Sequence, residues 1–325
     1  MRWIIYGAGA VGGVVAGRLA GSGQEVAVVA RGAHLAAIRR DGLILRELGG
    51  DSVHRLESYG DPAEAGWRPG DVVVLAMKSM DTEDALRRLQ ADVPVVCLQN
   101  GVVNERLALR RFPRVYSVCV MLPAAHLAPG VVEAQCAPVP GILDLGRYPH
   151  GVDDTAASLS EGLRKAGFHS ELRPDVMRWK YRKLLMNLGN AVEALCGHVD
   201  GLEDAVAPLR EEGEAVLRAA GIPFVSAAAD AERRGDILQL RLPRDGGSSW
   251  QSLARGTGTV EADYLNGEIV LLGRLHGVPT PANETARRLV VEAARRGTPP
   301  GSLTPARFLE AVNEAVNEAV RAAAR

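Results

Sequence analysis

A lysine and two asparagines share one face of a stretch with helical periodicity. Lys183, Asn187 and Asn190 are spaced 0, +4 and +7, so at about 100° per residue they fall within roughly 60° of one another. The simpler interpretation is a solvated helix face, because Lys180 and Arg182 are close by. A positioned ammonium can, however, protonate the oxygen of a carbonyl under reduction, and amides orient a substrate without adding charge. The pattern favours a catalytic lysine with amide neighbours.

A second polar cluster occupies residues 259–267, where Glu261 and Asp263 precede an apolar run with helical periodicity. By themselves these carboxylates are ordinary acidic residues at the start of a helix. Opposite a catalytic lysine, Glu261 could instead hold the ammonium and accept the hydroxyl of the product. Ser249, at the end of a Gly-Gly-Ser-Ser loop, could bind a substrate carboxylate. Lys183 and Glu261 are therefore the candidate catalytic pair.

The N-terminal stretch has the pattern of a dinucleotide-binding turn, with an apolar run, Gly7-x-Gly9-x-x-Gly12, and a helix-compatible run in succession. Gly7 lets the chain turn, Gly9 lets backbone N–H groups approach a pyrophosphate, and Gly12 lets the helix pack close to the strand. A glycine-rich turn without a ligand is the alternative, and the strand–turn–helix context argues against it. The candidate cofactor residues of this loop are Gly7, Ala8, Gly9, Ala10, Val11 and Gly12.

The next predicted strand, residues 25–30, ends at Arg31. An NAD site usually has Asp or Glu at this position, where the carboxylate holds the ribose 2′-hydroxyl. A guanidinium can instead form two parallel hydrogen bonds with a 2′-phosphate, which a carboxylate would repel. The alternative is an ordinary solvated arginine. Arg31 therefore predicts NADPH as the cofactor.

Alternating strands and helices position these residues, and this alternation predicts a doubly wound parallel sheet. Residues 71–77 and 93–98 have the β-branched runs of buried parallel strands. Lys78 follows the first run and Asn100 follows the second. Open α/β sheets bind ligands at the carboxyl ends of their strands, so both side chains are candidate site residues.

The second half of the chain has mostly helical periodicity. Pro174 marks the boundary, since proline ends a strand and suits the first turn of a helix. We predict an α/β, Rossmann-type domain over residues 1–173, an all-α domain over 174–297, and a linker and tail helix over 298–325. The longest predicted helix covers 176–195, and a short strand is predicted over 168–172. Phe308, Val312, Val316 and Val320 recur every four residues of the tail, a stripe that we expect to dock on the protein itself, with a partner subunit as the alternative.

Composition excludes several classes of protein. The 325 residues carry a net charge of −1, so no global field attracts nucleic acid or an anionic membrane. No apolar run approaches the roughly 18 residues of a membrane span, and the first strand leaves no room for a signal peptide. The four cysteines and seven histidines have no metal-ligand spacing, and we predict no metal site. We expect a cytoplasmic globular protein.

Several motifs, from residue 1 to about residue 297, together resemble those of the ketopantoate reductase (2-dehydropantoate 2-reductase) family in order and spacing. They are Gly7-Ala-Gly-Ala-Val-Gly12, Lys78-Ser79, Gln99-Asn100-Gly101, Trp179 with Lys183-Leu-Leu-Met-Asn187, Ser248-Ser249 and Glu261-Ala-Asp-Tyr-Leu-Asn-Gly267. The resemblance implies a Rossmann domain followed by a helical domain, with the active site between them. It also implies the reduction of 2-dehydropantoate to pantoate by NADPH, a step toward pantothenate and coenzyme A.

The resemblance further implies a role for each matching residue. Lys183 is implied as the general acid, and Glu261 as the residue that binds the substrate hydroxyl. Asn187 and Ser249 are implied to contact the substrate. Asn100 is implied to touch both the cofactor ribose and the substrate, and Lys78 to line the cofactor site. A homodimer is expected by analogy only.

One position departs from the family pattern. The family often has a second Asn eight residues after the lysine, where this chain has Ala191. Asn190 lies one position earlier, and we expect it to replace that amide as a substrate-binding residue. A related hydroxyacid dehydrogenase with another substrate therefore remains open, as does a non-catalytic NADPH-binding regulator. A regulator would have no need of both Lys183 and Glu261, and the intact pair argues against it.

Overall fold

A computed structural model describes residues 1–243 and 245–323. Its contacts divide the chain into two compact units. The first comprises Met1–Lys180 with Ser226–Pro243, and the second comprises Tyr181–Val225 with Arg244–Arg325. The expected domains, 1–173, 174–297 and 298–325, remain predictions.

The first unit holds all of the strands found in the described chain. They are β1 (Arg2–Tyr6), β2 (Glu25–Val29), β3 (Leu43–Glu47), β4 (Gly50–His54), β5 (Glu57–Tyr59), β6 (Asp71–Leu75), β7 (Val95–Cys97), β8 (Val115–Met121), β9 (Ala124–Ala128), β10 (Val131–Ala134) and β11 (Ile142–Arg147). Its helices are α1 (Ala10–Gly21), α2 (Gly32–Asp41), α3 (Thr82–Arg88), α4 (Asn104–Leu109) and α5 (Asp154–Lys165), with 3₁₀ turns at Pro62–Ala65 and Ser79–Asp81.

Seven of these strands form one sheet in the order β11-β8-β7-β6-β1-β2-β5. All neighbours pair in parallel except β11, which is antiparallel to β8. Successive side chains of β1 point to opposite faces, so Ile5 joins the apolar core on one face and Ile4 the core on the other. Burial on both faces explains the continuous apolar runs of these strands and confirms the predicted α/β fold.

A second sheet has the order β4-β3-β10-β9. Helix α1 packs against strands of this sheet as well as against β1 and β2 of the main sheet. The segment predicted as a short strand over residues 168–172 lies parallel to β11 but is not a continuous strand. His169 and Leu172 make bridges to Ile142 and Leu145, and backbone hydrogen bonds join His169, Glu171 and Arg173 to β11.

A segment far along the chain completes the first unit. Helix α9 (Ala227–Arg234) lies within Ser226–Pro243, where the Nη2 of Arg233 is 2.7 Å from the Oδ1 of Asp144 on β11. Both side chains are buried, and a buried charge needs such a partner. A purely helical periodicity had suggested that this segment belongs with the other helices of the second half.

The second unit is all-α, as predicted. Helix α6 (Val176–Asn187) begins in the first unit and ends in the second. The other helices are α7 (Gly189–Cys196), α8 (Leu202–Ala219), α10 (Ser248–Ala254), α11 (Asn266–His276), α12 (Pro281–Arg296) and α13 (Pro305–Ala323), with a 3₁₀ turn at Glu261–Tyr264. The helices α8, α11 and α12 pack against one another.

The predicted tail helix is α13, and it packs against α8 and α12 of the same unit. Phe308 and Val312 are buried, whereas Val316 is 38% exposed. The side chain of Val320 lies outside the described residues. The segment between α12 and α13 is also attached to this unit, because the N–H of Gly301 donates a hydrogen bond to the carbonyl of Ala194 near the end of α7. The first half of the stripe therefore docks on the protein itself, as expected.

Within the described residues, no helix combines the length and the apolar character needed to cross a membrane. The same part of the chain contains no cluster of three His, Cys, Asp or Glu side chains suited to a metal ion. All four cysteines are buried, and none of them is part of a disulfide. Burial raises the pKa of the Cys196 thiol to about 11.

Candidate active site

The glycine-rich loop has the geometry that its sequence predicts. Gly7 has a φ of +104°, and a Cβ there would lie 2.7 Å from the backbone N of Met77. A Cβ at Gly12 would lie 2.0 Å from the carbonyl oxygen of Gly7. A Cβ at Gly9, in contrast, would meet no atom of the described residues within 4 Å. Gly7 and Gly12 are thus required by the fold, and Gly9 borders open space.

The open space at Gly9 lies at the start of α1, where Gly9 is the N-cap residue. In the part of the chain that the structure describes, no side chain caps this terminus and its first turn contains no acidic residue. The first N–H groups of a helix and its dipole favour an anion at this position. The loop therefore fits the phosphates of a dinucleotide, and the assignment of its six residues, Gly7 to Gly12, remains a prediction.

Arg31 lies at the carboxyl end of β2, where it is the N-cap residue of α2. Its side chain is 70% exposed, and its Nη2 is 3.7 Å from the Oδ1 of Asp81. An exposed ion pair of this length is weak. The guanidinium can therefore turn toward a 2′-phosphate at little free-energy cost.

Lys78 and Asn100 lie in the two loops that follow β6 and β7, and a buried polar network joins these loops. The Nδ2 of Asn104 donates to the carbonyl of Asn100 at 3.1 Å and to the Oγ of Ser79 at 3.2 Å. The Oγ1 of Thr82 donates to the Oδ1 of Asn104 at 2.8 Å. Satisfied buried polar networks are rigid. The backbone next to both candidate site residues is therefore held in one arrangement.

A buried ion pair anchors the start of α6, and sequence reasoning missed it. The Nζ of Lys180 donates to the Oε1 of Glu105 at 2.5 Å and to the carbonyl of Gln99 at 2.9 Å. The two side chains are 3% and 0% exposed. Lys180 had suggested a solvated helix face. It is buried because its charge partner, Glu105, lies in the first turn of α4.

The helix predicted over residues 176–195 is confirmed except at Leu188, a single residue that separates α6 from α7 and keeps right-handed helical backbone angles (φ −60°, ψ −31°). The carbonyl of Leu188 accepts a hydrogen bond of 3.1 Å from the Nδ2 of Asn266, a fully buried side chain on α11. Lys183 and Asn187 remain one turn apart on α6, whereas Asn190 lies in the first turn of α7. The helical angle argument therefore holds directly for the first two residues, and for Asn190 it crosses the interruption at Leu188.

Asn266 belongs to a buried network that holds the helices of the second unit together. Its Nδ2 also donates to the Oδ1 of Asn283 at 3.1 Å, and the Nδ2 of Asn283 donates to the Oε2 of Glu212 at 2.9 Å. Burial raises the pKa of Glu212, while hydrogen bonds from Ala282 and Asn283 act in the opposite direction. Buried hydrogen bonds therefore connect the turn between α6 and α7 to α8, α11 and α12.

Ser249 and Glu261 are both buried in the second unit. Ser249 lies in the first turn of α10 and is 3% exposed. The Oε1 of Glu193 on α7 accepts a hydrogen bond from the N–H of Gly247 at 2.9 Å, so α7 positions the start of α10. Glu261 lies in the 3₁₀ turn that precedes α11, and it is 9% exposed. A buried carboxylate needs a partner.

The predicted site residues thus fall into two groups. The glycine-rich loop, Arg31, Lys78 and Asn100 lie in the first unit, at the carboxyl ends of its parallel strands. The second unit holds the remaining candidates, which are Lys183, Asn187, Asn190, Ser249 and Glu261. Lys183 and Asn190 are half-buried, and Asn187 is 4% exposed. Ala191, the departure from the family pattern, is buried on α7.

Comparison with known proteins identifies the family. The family model described as "Ketopantoate reductase PanE/ApbA" matches residues 3–150, and "Ketopantoate reductase PanE/ApbA C terminal" matches residues 175–294. A 2-dehydropantoate 2-reductase from Pyrococcus horikoshii is 30% identical over 296 residues, which cover 87% of this chain and 94% of the relative. The chain belongs to the ketopantoate reductase family. It is accordingly an oxidoreductase that acts on CH–OH groups.

Solved structures agree with the fold. The PanE/ApbA family ketopantoate reductase from Ralstonia eutropha has a TM-score of 0.76 at 31% identity, with 91% of this chain and 99% of that chain covered. A D-mandelate dehydrogenase solved with NADH and anilino(oxo)acetate has a TM-score of 0.78 at 23% identity, with 92% and 100% covered. The second likeness shows a shared fold only.

Proposed function

We propose that this protein catalyses the NADPH-dependent reduction of a 2-oxo acid, and that the acid is 2-dehydropantoate, which is reduced to pantoate for pantothenate and coenzyme A synthesis. The observation that carries the proposal is the polar face of α6, where half-buried Lys183 lies one turn from buried Asn187. Membership of the ketopantoate reductase family and the name of the Pyrococcus horikoshii relative support the substrate.

The first unit supplies the residues that would hold the cofactor. The loop from Gly7 to Gly12 and the start of α1 would bind the pyrophosphate, and Lys78 and Asn100 would line the site beyond it. Arg31 favours a 2′-phosphate, because it stands where an NAD site usually has a carboxylate. When bound, the reduced nicotinamide supplies a hydride to the carbonyl carbon of the substrate.

The second unit supplies the proton and the substrate contacts. Lys183 would act as general acid and donate its ammonium proton to the carbonyl oxygen as that oxygen becomes a hydroxyl. Glu261 would hold the ammonium and accept a hydrogen bond from the new hydroxyl. Asn187 and Asn190 would orient the substrate through their amides, and Ser249 would donate to its carboxylate.

The proposal is tested by following the loss of reduced nicotinamide absorbance with 2-dehydropantoate and a panel of other 2-oxo acids. We expect saturable turnover that is fastest with 2-dehydropantoate. Lys183→Ala should lower kcat by at least about a hundredfold with NADPH affinity nearly unchanged, because the lysine assists only the chemical step. Full activity of that variant would remove Lys183 from the mechanism.

The cofactor assignment has its own test. Arg31→Asp should weaken NADPH binding far more than NADH binding, since it replaces a partner of the 2′-phosphate with a like charge. Arg40→Asp is the matched control, because Arg40 is an exposed arginine at the other end of α2. Equal losses for NADPH and NADH in the Arg31 variant would contradict the assignment.

Ala191 favours a second candidate, a related NADP(H)-dependent hydroxyacid dehydrogenase with a different substrate. This buried residue stands where the family often has a second amide, so a substrate pocket that includes it would differ there from the common pattern. The same panel decides between the two, because another 2-oxo acid would then be reduced fastest. NADPH binding without turnover of any acid would favour a non-catalytic regulator. A cytoplasmic location and a homodimer remain predictions.

A further inference from the structure

A histidine outside the predicted site contacts the glycine-rich loop. His34 is half-buried in the first turns of α2, and its Nε2 lies 2.6 Å from the carbonyl oxygen of Ala8. Ala8 stands between Gly7 and Gly9. A carbonyl oxygen only accepts hydrogen bonds, so the Nε2 of His34 must carry the proton and donate it.

The other ring nitrogen of His34 has the opposite role. Its Nδ1 accepts a hydrogen bond of 2.8 Å from the backbone N–H of Gly130, in the turn between β9 and β10. An atom that accepts from a backbone N–H carries no proton of its own. The two contacts together select one neutral tautomer. Burial lowers the pKa of His34, which favours the same neutral form.

A second histidine restricts the orientation of the His34 imidazole ring. His126 on β9 places its Nε2 3.2 Å from the Nδ1 of His34. The two rings meet edge to face, with centroids 4.5 Å apart and planes at 71°. His34 therefore lies between the glycine-rich loop and the second sheet, where its orientation is determined from both sides.

The contact with Ala8 has a consequence for the neighbouring peptide. In a trans peptide the C=O and the N–H point in opposite directions, and the bond between Ala8 and Gly9 is trans. Because the carbonyl of Ala8 points to His34, the N–H of Gly9 points away from it. We propose that His34 is a positioning residue, which orients the Gly9 N–H toward the phosphates of the cofactor by holding the carbonyl of Ala8. This inference rests on the proposed NADP(H)-dependent function.

The test compares two variants of His34 by direct NADPH titration, with quenching of tryptophan fluorescence as the signal. His34→Leu removes the hydrogen bonds with Ala8 and Gly130 as well as the contact with His126, and it should weaken NADPH binding about five- to tenfold. His34→Gln keeps an amide NH₂ that can donate to Ala8 and an oxygen that can accept from Gly130, and it should keep the affinity within about twofold of the wild type. With saturating NADPH, both variants should retain a kcat close to that of the wild type, because the proposed role of His34 is limited to the conformation of the glycine-rich loop.

His54→Leu is the matched control. His54 is a half-buried histidine on β4, whose Nε2 lies 2.9 Å from the Oγ of Ser52 and which faces the C-terminal part of α1 at Gly17 and Gly21. Its loss should lower stability without changing NADPH affinity. A matching fall in affinity in this control, or an unchanged affinity in His34→Leu, would overturn the inference.

Failure of the inference and failure of the proposed function give different results. If the wild type binds neither NADPH nor NADH, the proposed function fails and the inference fails with it. If the wild type binds and His34→Leu binds equally well, only the role of His34 fails. If His34→Leu does not fold, ¹⁵N NMR spectra of the wild type show which nitrogen of the His34 imidazole carries the proton. A proton on Nδ1 in place of Nε2 would contradict the hydrogen bond from Nε2 to the carbonyl of Ala8 and overturn the inference.

Discussion

Replacement of Lys180 by methionine tests whether its buried ion pair with Glu105 stabilises the first unit, to which both residues belong. The Nζ of Lys180 lies 2.5 Å from the Oε1 of Glu105 and 2.9 Å from the carbonyl of Gln99. Methionine keeps most of the aliphatic volume and removes the charge. The variant therefore isolates the electrostatic contribution of the lysine from its packing.

The expected loss follows from the separation and the burial of the pair. At 2.5 Å and an effective dielectric constant of about 20, the attraction is roughly 6 to 7 kcal/mol, from which the desolvation of both ions takes several kcal/mol. Without the lysine, Glu105 is a buried carboxylate that has lost its charge partner. Its Oε2 already has no hydrogen-bond partner among the described residues. We expect Lys180→Met to lower the free energy of unfolding by about 3 to 5 kcal/mol.

The assay is urea unfolding followed by tryptophan fluorescence and circular dichroism. Lys165→Met is the control, because Lys165 pairs with Glu161 at 2.7 Å while its side chain is 64% exposed; its loss should be near the error of the measurement. The double variant Lys180→Met, Glu105→Gln should be more stable than Lys180→Met, since it removes the unpaired carboxylate. Equal losses for Lys180→Met and Lys165→Met, or no recovery in the double variant, would refute the reasoning.

Three further predictions concern the loop, the buried network and the tail helix. Gly9→Ala should keep the melting temperature and weaken NADPH binding about tenfold or more, whereas Gly12→Ala should lower the melting temperature, because its Cβ would lie 2.0 Å from a backbone oxygen. Burial raises the folded-state pKa of Glu212 above the ordinary 4.5. The neutral Glu212 side chain therefore contributes stability below pH 4.5, and this contribution is lost as pH rises through the folded-state pKa. In urea unfolding, the difference in stability between the wild type and Glu212→Gln should accordingly shrink from about pH 4 upward. Phe308→Ala should lower the free energy of unfolding by about 3 to 5 kcal/mol, and Val316→Ala by less than about 0.5 kcal/mol. Equal effects of Gly9→Ala and Gly12→Ala, or of Phe308→Ala and Val316→Ala, would contradict the first and last predictions. A stability difference between the wild type and Glu212→Gln that grows with rising pH would contradict the second.

The parts of the fold that were predictable depend on local geometry. Gly7 and Gly12 reveal the strand–turn–helix unit because a positive φ or a close backbone approach excludes any other residue. The β-branched runs reveal buried parallel strands, since both faces of such a sheet are covered. The alternation of strand and helix then leaves few topologies. Helical periodicity extended this prediction to the all-α second half.

The features that were not predictable depend on residues far apart in the chain. The turn at Leu188 could not be read from residues 176–195, whose periodicity is helical throughout, because the donor to its carbonyl is 78 residues away. Lys180 resembled a solvated lysine because Glu105 lies 75 residues earlier. His34 is related to the glycine-rich loop only through its contacts with Ala8 and Gly130, which lie 26 and 96 residues away from it in the chain.

By itself, then, the sequence determined the fold class, the glycine-rich loop, the family, and the residue types available for hydride-transfer chemistry. These follow from backbone constraints and side-chain chemistry that act within a few residues. The tertiary structure decided where α6 ends, which charges are buried in pairs, and which tautomer of His34 meets the loop. A hydrogen bond or a buried ion pair exists only once two distant segments pack together, because burial makes the partner necessary and packing makes it available.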